Sequence, residues 1–216
     1  MKSQALRPSS ARKREAVLDA AAHVFLRDGF SDASMDEVSR RSGVSKQTVY
    51  SHFGSKDALF AAVVTRATAA AADAVAVLEP DPPGRAELAA HLELWARSQL
   101  DVVLDPPLLA LRRLVIAEAV RFPALARAFW DGGPGRSMAT MAERLGRLAE
   151  RGLLVLDDPA TAARTLNWLV MAEPLNAVMM LGDGAIPDPA ARTAGVREAV
   201  RVFLAAHAGS DGASPA

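Results

Sequence analysis

Apolar positions along this chain recur at the spacing of α-helices. Between Arg14 and Phe30 the apolar side chains form one stripe, made of Leu18, Ala21, Ala22, Phe25 and Leu26. A stripe at this spacing predicts an amphipathic helix. Proline and glycine residues divide the rest of the chain and predict helices over 55–79, 84–104, 106–121, 123–131, 135–152, 159–182 and 188–207. No strand pattern stands out, so the fold is predicted to be all-α.

Residues 34–60, SMDEVSRRSGVSKQTVYSHFGSKDALF, predict two short helices around a glycine turn and then the start of a longer helix. Ser34 and Glu37 have the spacing of a capping box, in which each side chain satisfies a free backbone donor at a helix start. Gly43 suits the positive φ that closes a tight turn, and Ser45 offers an N-cap for the second helix. This is the layout of a helix-turn-helix that reads DNA.

The second short helix has one face for the core and one for a partner. Val49 and Phe53 are four residues apart and are predicted to pack inward. The other face is dominated by hydrogen-bond donors and suits base edges and phosphates; it carries Lys46, Gln47, Thr48, Tyr50, Ser51 and His52. Lys56 opposes the dipole of the next helix, so an external phosphate explains it better than helix stability does. A polar turn in a helical protein that does not bind DNA remains an alternative.

Charge is distributed unevenly along the chain. The whole chain has 25 basic and 25 acidic residues, whereas residues 1–60 hold 10 basic and 7 acidic ones, including every lysine. Residues 1–13 contain no acid and are predicted to form a basic flexible arm, which follows a DNA groove or merely keeps the protein soluble. A neutral protein with a basic head can bind DNA through one face in a salt-sensitive way.

The run from Leu18 to Phe60, with AAHVFLRDGF, GVSKQTVYSHF and SKDALF, resembles the N-terminal DNA-binding domain of TetR-family transcriptional regulators. The resemblance implies that the second helix of the motif lies in the major groove of double-stranded DNA. The implied groove-facing residues are Lys46, Gln47, Thr48 and Tyr50, of which the first two are candidates for base readout. The implied phosphate anchors are Ser34, Ser45, Tyr50, His52 and Lys56. Gly54 departs from the family pattern and leaves the pose of Lys56 open.

Two polar residues interrupt apolar helix faces in the body of the chain. Gln99 shares a face with Leu92 and Trp95, and Glu118 shares one with Val115. Burying an amide without a partner costs about 1–3 kcal/mol, and burying a charge costs more. Two explanations remain open for these polar groups. They bond to a partner inside the protein, for which Arg112, Arg113 and Arg121 are the candidates in the case of Glu118, or they bond to a ligand. The candidate ligand-binding residues are Trp95, Gln99, Glu118, Phe122, Phe129, Met141 and Trp168.

The predicted helix at 159–182 is apolar around most of its circumference, and Pro174 is expected to interrupt it. In the resemblance, this helix and the one at 188–207 form a four-helix interface between two copies of the chain. A buried helix without dimerisation remains the alternative. The segment from Pro107 to Gly152 also resembles the C-terminal domain of AefR-like regulators.

These patterns predict a domain organisation of four parts. They are a basic arm at 1–13, a three-helix DNA-binding head at 14–54, a larger helical effector-binding and dimerisation domain at 55–208, and a disordered tail at 209–216. The expected protein is a homodimeric repressor that binds a palindromic operator and is released by a small, mostly apolar effector. A response to a protein partner, the absence of any ligand, and activation in place of repression remain open.

Other classes of function find little support in the sequence. There is no cysteine, which excludes disulfides and thiolate zinc sites. The four histidines have no metal-ligand spacing, and no glycine-rich phosphate loop is present, so we predict no enzyme activity, no metal and no cofactor. No apolar run reaches the length of a membrane span, and no secretory signal is seen, so a cytoplasmic protein is expected.

Overall fold

A computed structural model describes residues 8–76 and 81–207 of the chain. Within these residues it contains ten α-helices, a 3-10 turn at Asp183–Ala185 and no β-strand, which confirms the all-α prediction. The helices are α1 (Pro8–Asp32), α2 (Met35–Ser42), α3 (Lys46–Phe53), α4 (Lys56–Ala76), α5 (Arg85–Val103), α6 (Pro106–Glu118), α7 (Pro123–Gly132), α8 (Pro134–Glu150), α9 (Pro159–Leu181) and α10 (Pro189–His207). No helix in the described ranges is long and apolar enough to cross a membrane.

The first helix differs from its prediction at both ends. Helix α1 begins at Pro8, so residues 8–13 are helical and do not belong to a flexible arm. Proline favours the first helical position because its φ is already helical and it lacks an N–H that would go unpaired. Gly29 breaks the regular helix with a φ of 78°, a value that glycine tolerates, but helical hydrogen bonding resumes as far as Asp32. Residues 1–7 and the predicted tail lie outside the described residues.

The described chain divides into two compact units, and the division does not follow the predicted boundary at residue 54. The first unit contains α1–α3, α4 as far as Ala69, and the segment Ala110–Gly132. A cluster of aromatic rings lies in its core: Phe25 is 4.9 Å from Phe60, and Phe30 is 5.1 Å from Phe60, between ring centres. Residues 110–118 of α6 and all of α7 therefore belong with the predicted DNA-binding head.

The second unit contains Ala70–Leu109 and the chain from Gly133 onward. In it α9 packs against α5, α8 and α10 around a core that includes Trp95, Leu145, Leu166 and Phe203. Asp158 caps α9 by accepting from the backbone N–H groups of residues 160 and 161. The predicted interruption at Pro174 does not end the helix: α9 continues through this buried proline to Leu181.

Candidate nucleic-acid interface

The start of α2 is capped by Ser34, whose Oγ accepts from the backbone N–H of Asp36 at 3.2 Å. The predicted second half of the capping box does not form. Instead, the carboxylate of Glu37 accepts two hydrogen bonds from Arg40, at 2.6 and 2.8 Å. A charged partner one turn away competes successfully for this carboxylate, because hydrogen bonds between two charged groups are the stronger ones.

The turn between α2 and α3 has the predicted geometry. Gly43 lies in the left-handed region, with φ 66° and ψ 15°, where glycine carries no steric penalty. Ser39 closes the turn by donating its hydroxyl to the carbonyl of Val44 at 2.7 Å. Ser45 then caps α3, with its Oγ accepting from the backbone N–H of Thr48 at 3.3 Å. The two caps and the glycine fix the position of α3 on the head.

Helix α3 is divided into a buried and an accessible face. Val49 and Phe53 are buried, and Lys46, Gln47 and Tyr50 are exposed, with Tyr50 at 41% exposure. The two remaining candidates on this helix are half-buried. The hydroxyl of Thr48 lies 2.8 Å from that of Ser45 and is partly used by the cap, whereas the ring of His52 lies beside Phe53. Of the residues predicted to face the groove, Lys46, Gln47 and Tyr50 are thus the most accessible.

Asp36 also belongs to the exposed surface around Lys46, although no sequence pattern points to it. Its carboxylate lies 2.7 Å from Nζ of Lys46, and both side chains are largely exposed. The hydrogen bond and charge of Asp36 raise the pKa of Lys46. An acid in the first turn of α2 is already accounted for by the helix dipole. The sequence therefore gave no reason to pair it with a lysine on the next helix.

Lys56 makes contacts inside the protein that explain its position in the first turn of α4. Its Nζ donates to the carbonyl oxygens of Ser31 at 2.9 Å and Ala33 at 3.2 Å, and it lies 4.8 Å from the centre of the Phe30 ring. An external anion is therefore not needed to explain a lysine in the first turn of α4. Contact with a phosphate stays a prediction for this residue.

The candidate ligand-binding residues of the first unit have different surroundings. Phe129 is buried beneath the guanidinium of Arg112. Glu118 is half-buried and forms no ion pair within the described residues. Phe122 contacts Phe30 edge to face, with 4.6 Å between ring centres. This ring packs on the core of the predicted DNA-binding head. Contact of Phe122 with a ligand stays a prediction.

In the second unit, the side chain of Gln99 has a hydrogen-bond partner inside the protein. This residue is buried, and its Oε1 accepts a hydrogen bond from Ser137 Oγ at 2.7 Å, so its carbonyl has an internal partner. Trp95 and Met141 belong to the hydrophobic core of the same unit. Trp168 is 54% exposed on α9. Contact of Trp168 with a ligand stays a prediction.

The described residues contain no group of three or more side chains placed to hold a metal ion. What they do contain is a capped helix-turn-helix with an accessible second helix, followed by a larger helical part. This combination defines a DNA-binding protein of the helix-turn-helix class.

Comparison with known families and proteins supports the helix-turn-helix class and identifies the family within that class. The family model described as "Bacterial regulatory proteins, tetR family" matches residues 17–63. A second model, "AefR-like transcriptional repressor, C-terminal domain", matches residues 90–209. The chain belongs to the TetR family of DNA-binding transcriptional regulators, which are not enzymes.

Individual relatives cover the chain to different extents. The HTH-type transcriptional activator FasR of Mycolicibacterium smegmatis is 46% identical over 54 residues, so the match spans 25% of this chain and 25% of FasR. An uncharacterized HTH-type transcriptional regulator of Mycobacterium tuberculosis is 31% identical over 169 residues, 74% of each chain.

Two solved structures are similar over nearly the whole chain. One is a TetR-family transcriptional regulator from Mesorhizobium loti, with a TM-score of 0.82 and 33% identity over 94% of this chain and 100% of that one. The other is the flavonoid-responsive regulator FrrA, with a TM-score of 0.76 and 32% identity over 92% of this chain and 98% of FrrA.

Proposed function

We propose that this protein is a homodimeric repressor that binds a palindromic operator and is released from it by a small, mostly apolar effector. The observation that supports DNA recognition most strongly is the accessible face of α3, with Lys46, Gln47 and Tyr50 exposed directly after the N-cap Ser45. Two such heads in a dimer meet major grooves about 34–36 Å apart, or at a multiple of that distance. Repression is favoured by the AefR-like repressor model, which matches more of the chain than the activator FasR does.

The effector response is proposed to use the turn between α6 and α7. Arg121 in this turn donates from Nη1 to Ser31 Oγ at 2.9 Å, next to the contact between Phe122 and Phe30. Both contacts reach the end of α1 in the DNA-binding head. An effector that binds α6 or α7 and shifts this turn changes the head directly. By linkage, it must bind the form with low operator affinity more tightly.

Replacing Lys46 and Tyr50 together by alanine is expected to lower operator affinity by roughly 1,000-fold or more, because each head loses one groove contact and one phosphate contact of about 1 kcal/mol or more. The measurement is a gel shift with the DNA upstream of the protein's own gene. Thr65→Ala, at an exposed position on α4, is the control and is expected to keep full affinity. Full affinity of the double variant would remove α3 from the proposed interface.

Replacing Asp36 by asparagine is expected to strengthen binding to DNA of random sequence, because it removes a carboxylate that neutralises Lys46 in the free protein. Each further phosphate neutralised makes the slope of log affinity against log salt steeper by about 0.9. Fluorescence anisotropy with a labelled duplex at several salt concentrations measures this slope.

A second exposed ion pair provides a matched control for Asp36. Glu198 lies 2.6 Å from Arg201 on α10, and both side chains are largely exposed. Glu198→Gln changes the net charge by the same amount as Asp36→Asn but on a helix that is not part of the proposed DNA interface. Because α10 belongs to the proposed dimer interface, light scattering must show that this variant has the same mass as the wild type. Equal steepening of the salt slope in both variants would mean that net charge, and not the pairing of Lys46, controls binding.

A further inference from the structure

Arg112 on α6 has surroundings that compensate its charge poorly. Its Nε atom is fully buried and has no hydrogen-bond acceptor within the described residues. Its guanidinium carbon lies 5.4 Å from the centre of the Phe129 ring, which belongs to α7 and is also buried. The first unit therefore holds a half-buried arginine, with its Nε removed from solvent, against an aromatic face.

Acidic partners do not account for this arginine. Burial lowers the pKa of Arg112, and among the residues that the structure describes no carboxylate acts against that effect. Arg147 shows the opposite behaviour, because its hydrogen bonds with Asp81 raise its pKa. The acid on the same helix does not help Arg112 either. Glu118 is six residues further along α6, which turns it about 120° away around the helix axis.

An aromatic face offsets only part of the cost of removing a guanidinium from water. Charges that the fold leaves uncompensated are often kept for binding, at some cost in stability. Arginine is suited to binding an anion in such a place, since its planar fork forms two parallel hydrogen bonds with a carboxylate and it stays charged when buried.

We propose that Arg112 binds the carboxylate of the effector, so that the effector is an organic acid with an apolar body and not a neutral molecule. The inference rests on the proposed function, because it assumes that the chain binds a small effector. In this proposal Arg112, and not Glu118, is the charged residue that contacts the ligand. Phe129 is the neighbour that holds the guanidinium in place.

The variant Arg112→Gln tests the proposal without knowledge of the effector. Glutamine removes the uncompensated charge and keeps a polar side chain, so the ligand-free variant is expected to melt at the same temperature as the wild type or above it. Arg127→Gln, at an exposed position on α7, is the matched control and is expected to leave the melting temperature unchanged. If Arg112 were structural, its loss would destabilise the protein. A clear fall in the melting temperature of Arg112→Gln alone therefore overturns the proposal.

Calorimetric titration without DNA tests the ligand class. The probes are decanoate and cinnamate, and their neutral counterparts are decanol and cinnamyl alcohol. At least one acid is expected to bind the wild type about tenfold or more tightly than its alcohol, as a charge-assisted hydrogen bond requires. Arg112→Gln is expected to remove this preference without weakening the alcohol, and Arg112→Lys to retain part of it.

Three results of the titration would each overturn the proposal. They are that neither acid binds, that each acid binds no more tightly than its alcohol, and that Arg112→Gln weakens the binding of acid and alcohol alike. Because DNA is absent, a failure of operator recognition does not affect these measurements. If an acid binds through Arg112 but leaves the complex with DNA intact in a gel shift, the Arg112 site stands and effector-driven release fails.

Discussion

Replacing Phe30 by alanine is expected to lower the free energy of unfolding by about 3–5 kcal/mol, the usual cost of removing a buried aromatic ring. The ring is 2% exposed and lies within 6 Å of the ring centres of Phe25, Phe60 and Phe122, at 5.8, 5.1 and 4.6 Å. It also lies beneath the ammonium of Lys56. Urea denaturation followed by circular dichroism measures the loss.

A second variant on the same helix separates the ring cluster from helix α1 itself. Leu26 is 40% exposed, so Leu26→Ala is expected to cost less than about 1 kcal/mol. Similar losses in the two variants would mean that the aromatic cluster does not stabilise the head. A double-mutant cycle with Phe122→Ala is expected to give a coupling of about 0.5–1.5 kcal/mol between the two rings. No coupling would remove this contact from the proposed path between the effector and the head.

The local parts of this structure could be predicted from the sequence because their signals are local. Helix ends follow from proline, glycine and capping residues, and the positive φ of Gly43 follows from a turn that other residues do not tolerate. The inward face of α3 follows from the spacing of Val49 and Phe53. These features depend on residues within a few positions of one another, so a single sequence carries the information.

The parts that could not be predicted depend on contacts between residues far apart in the chain. Phe122 belongs to the head because of Phe30, and Lys56 is held by the carbonyls of Ser31 and Ala33. Neither contact leaves a periodic pattern in the sequence. The expectation of an unpaired buried group concerned Glu118, whereas the buried nitrogen without an acceptor belongs to Arg112. A stripe of apolar residues shows which positions share a helix face but not which polar atom is left without a partner.

Replacing Trp168 and Leu169 together by aspartate is expected to convert the proposed dimer into a monomer. Large apolar side chains remain exposed on α9 and α10 of the single chain: Trp168 at 54%, Leu169 at 40%, Met180 at 80%, Leu181 at 77% and Val202 at 38%. Exposed apolar side chains on these two helices support the proposed contact between two copies of the chain, and two unpaired carboxylates within such a contact are expected to oppose its formation. Light scattering after gel filtration at micromolar concentration measures the mass.

Operator binding is expected to weaken when the proposed dimer dissociates. Measuring both mass and affinity of each variant separates this cause from the loss of DNA contacts. Two linked heads raise affinity by about 10²–10⁴-fold through their effective concentration, so a monomer loses at least a factor of about 100. Val155→Asp is the control, because Val155 is 63% exposed but lies between α8 and α9, and this variant should remain a dimer with full affinity. The Lys46 and Tyr50 variant is expected to lose affinity as a dimer, whereas the Trp168 and Leu169 variant loses it as a monomer. A Trp168 and Leu169 variant that remains dimeric would place the interface elsewhere and leave the exposed side chains of α9 to another partner.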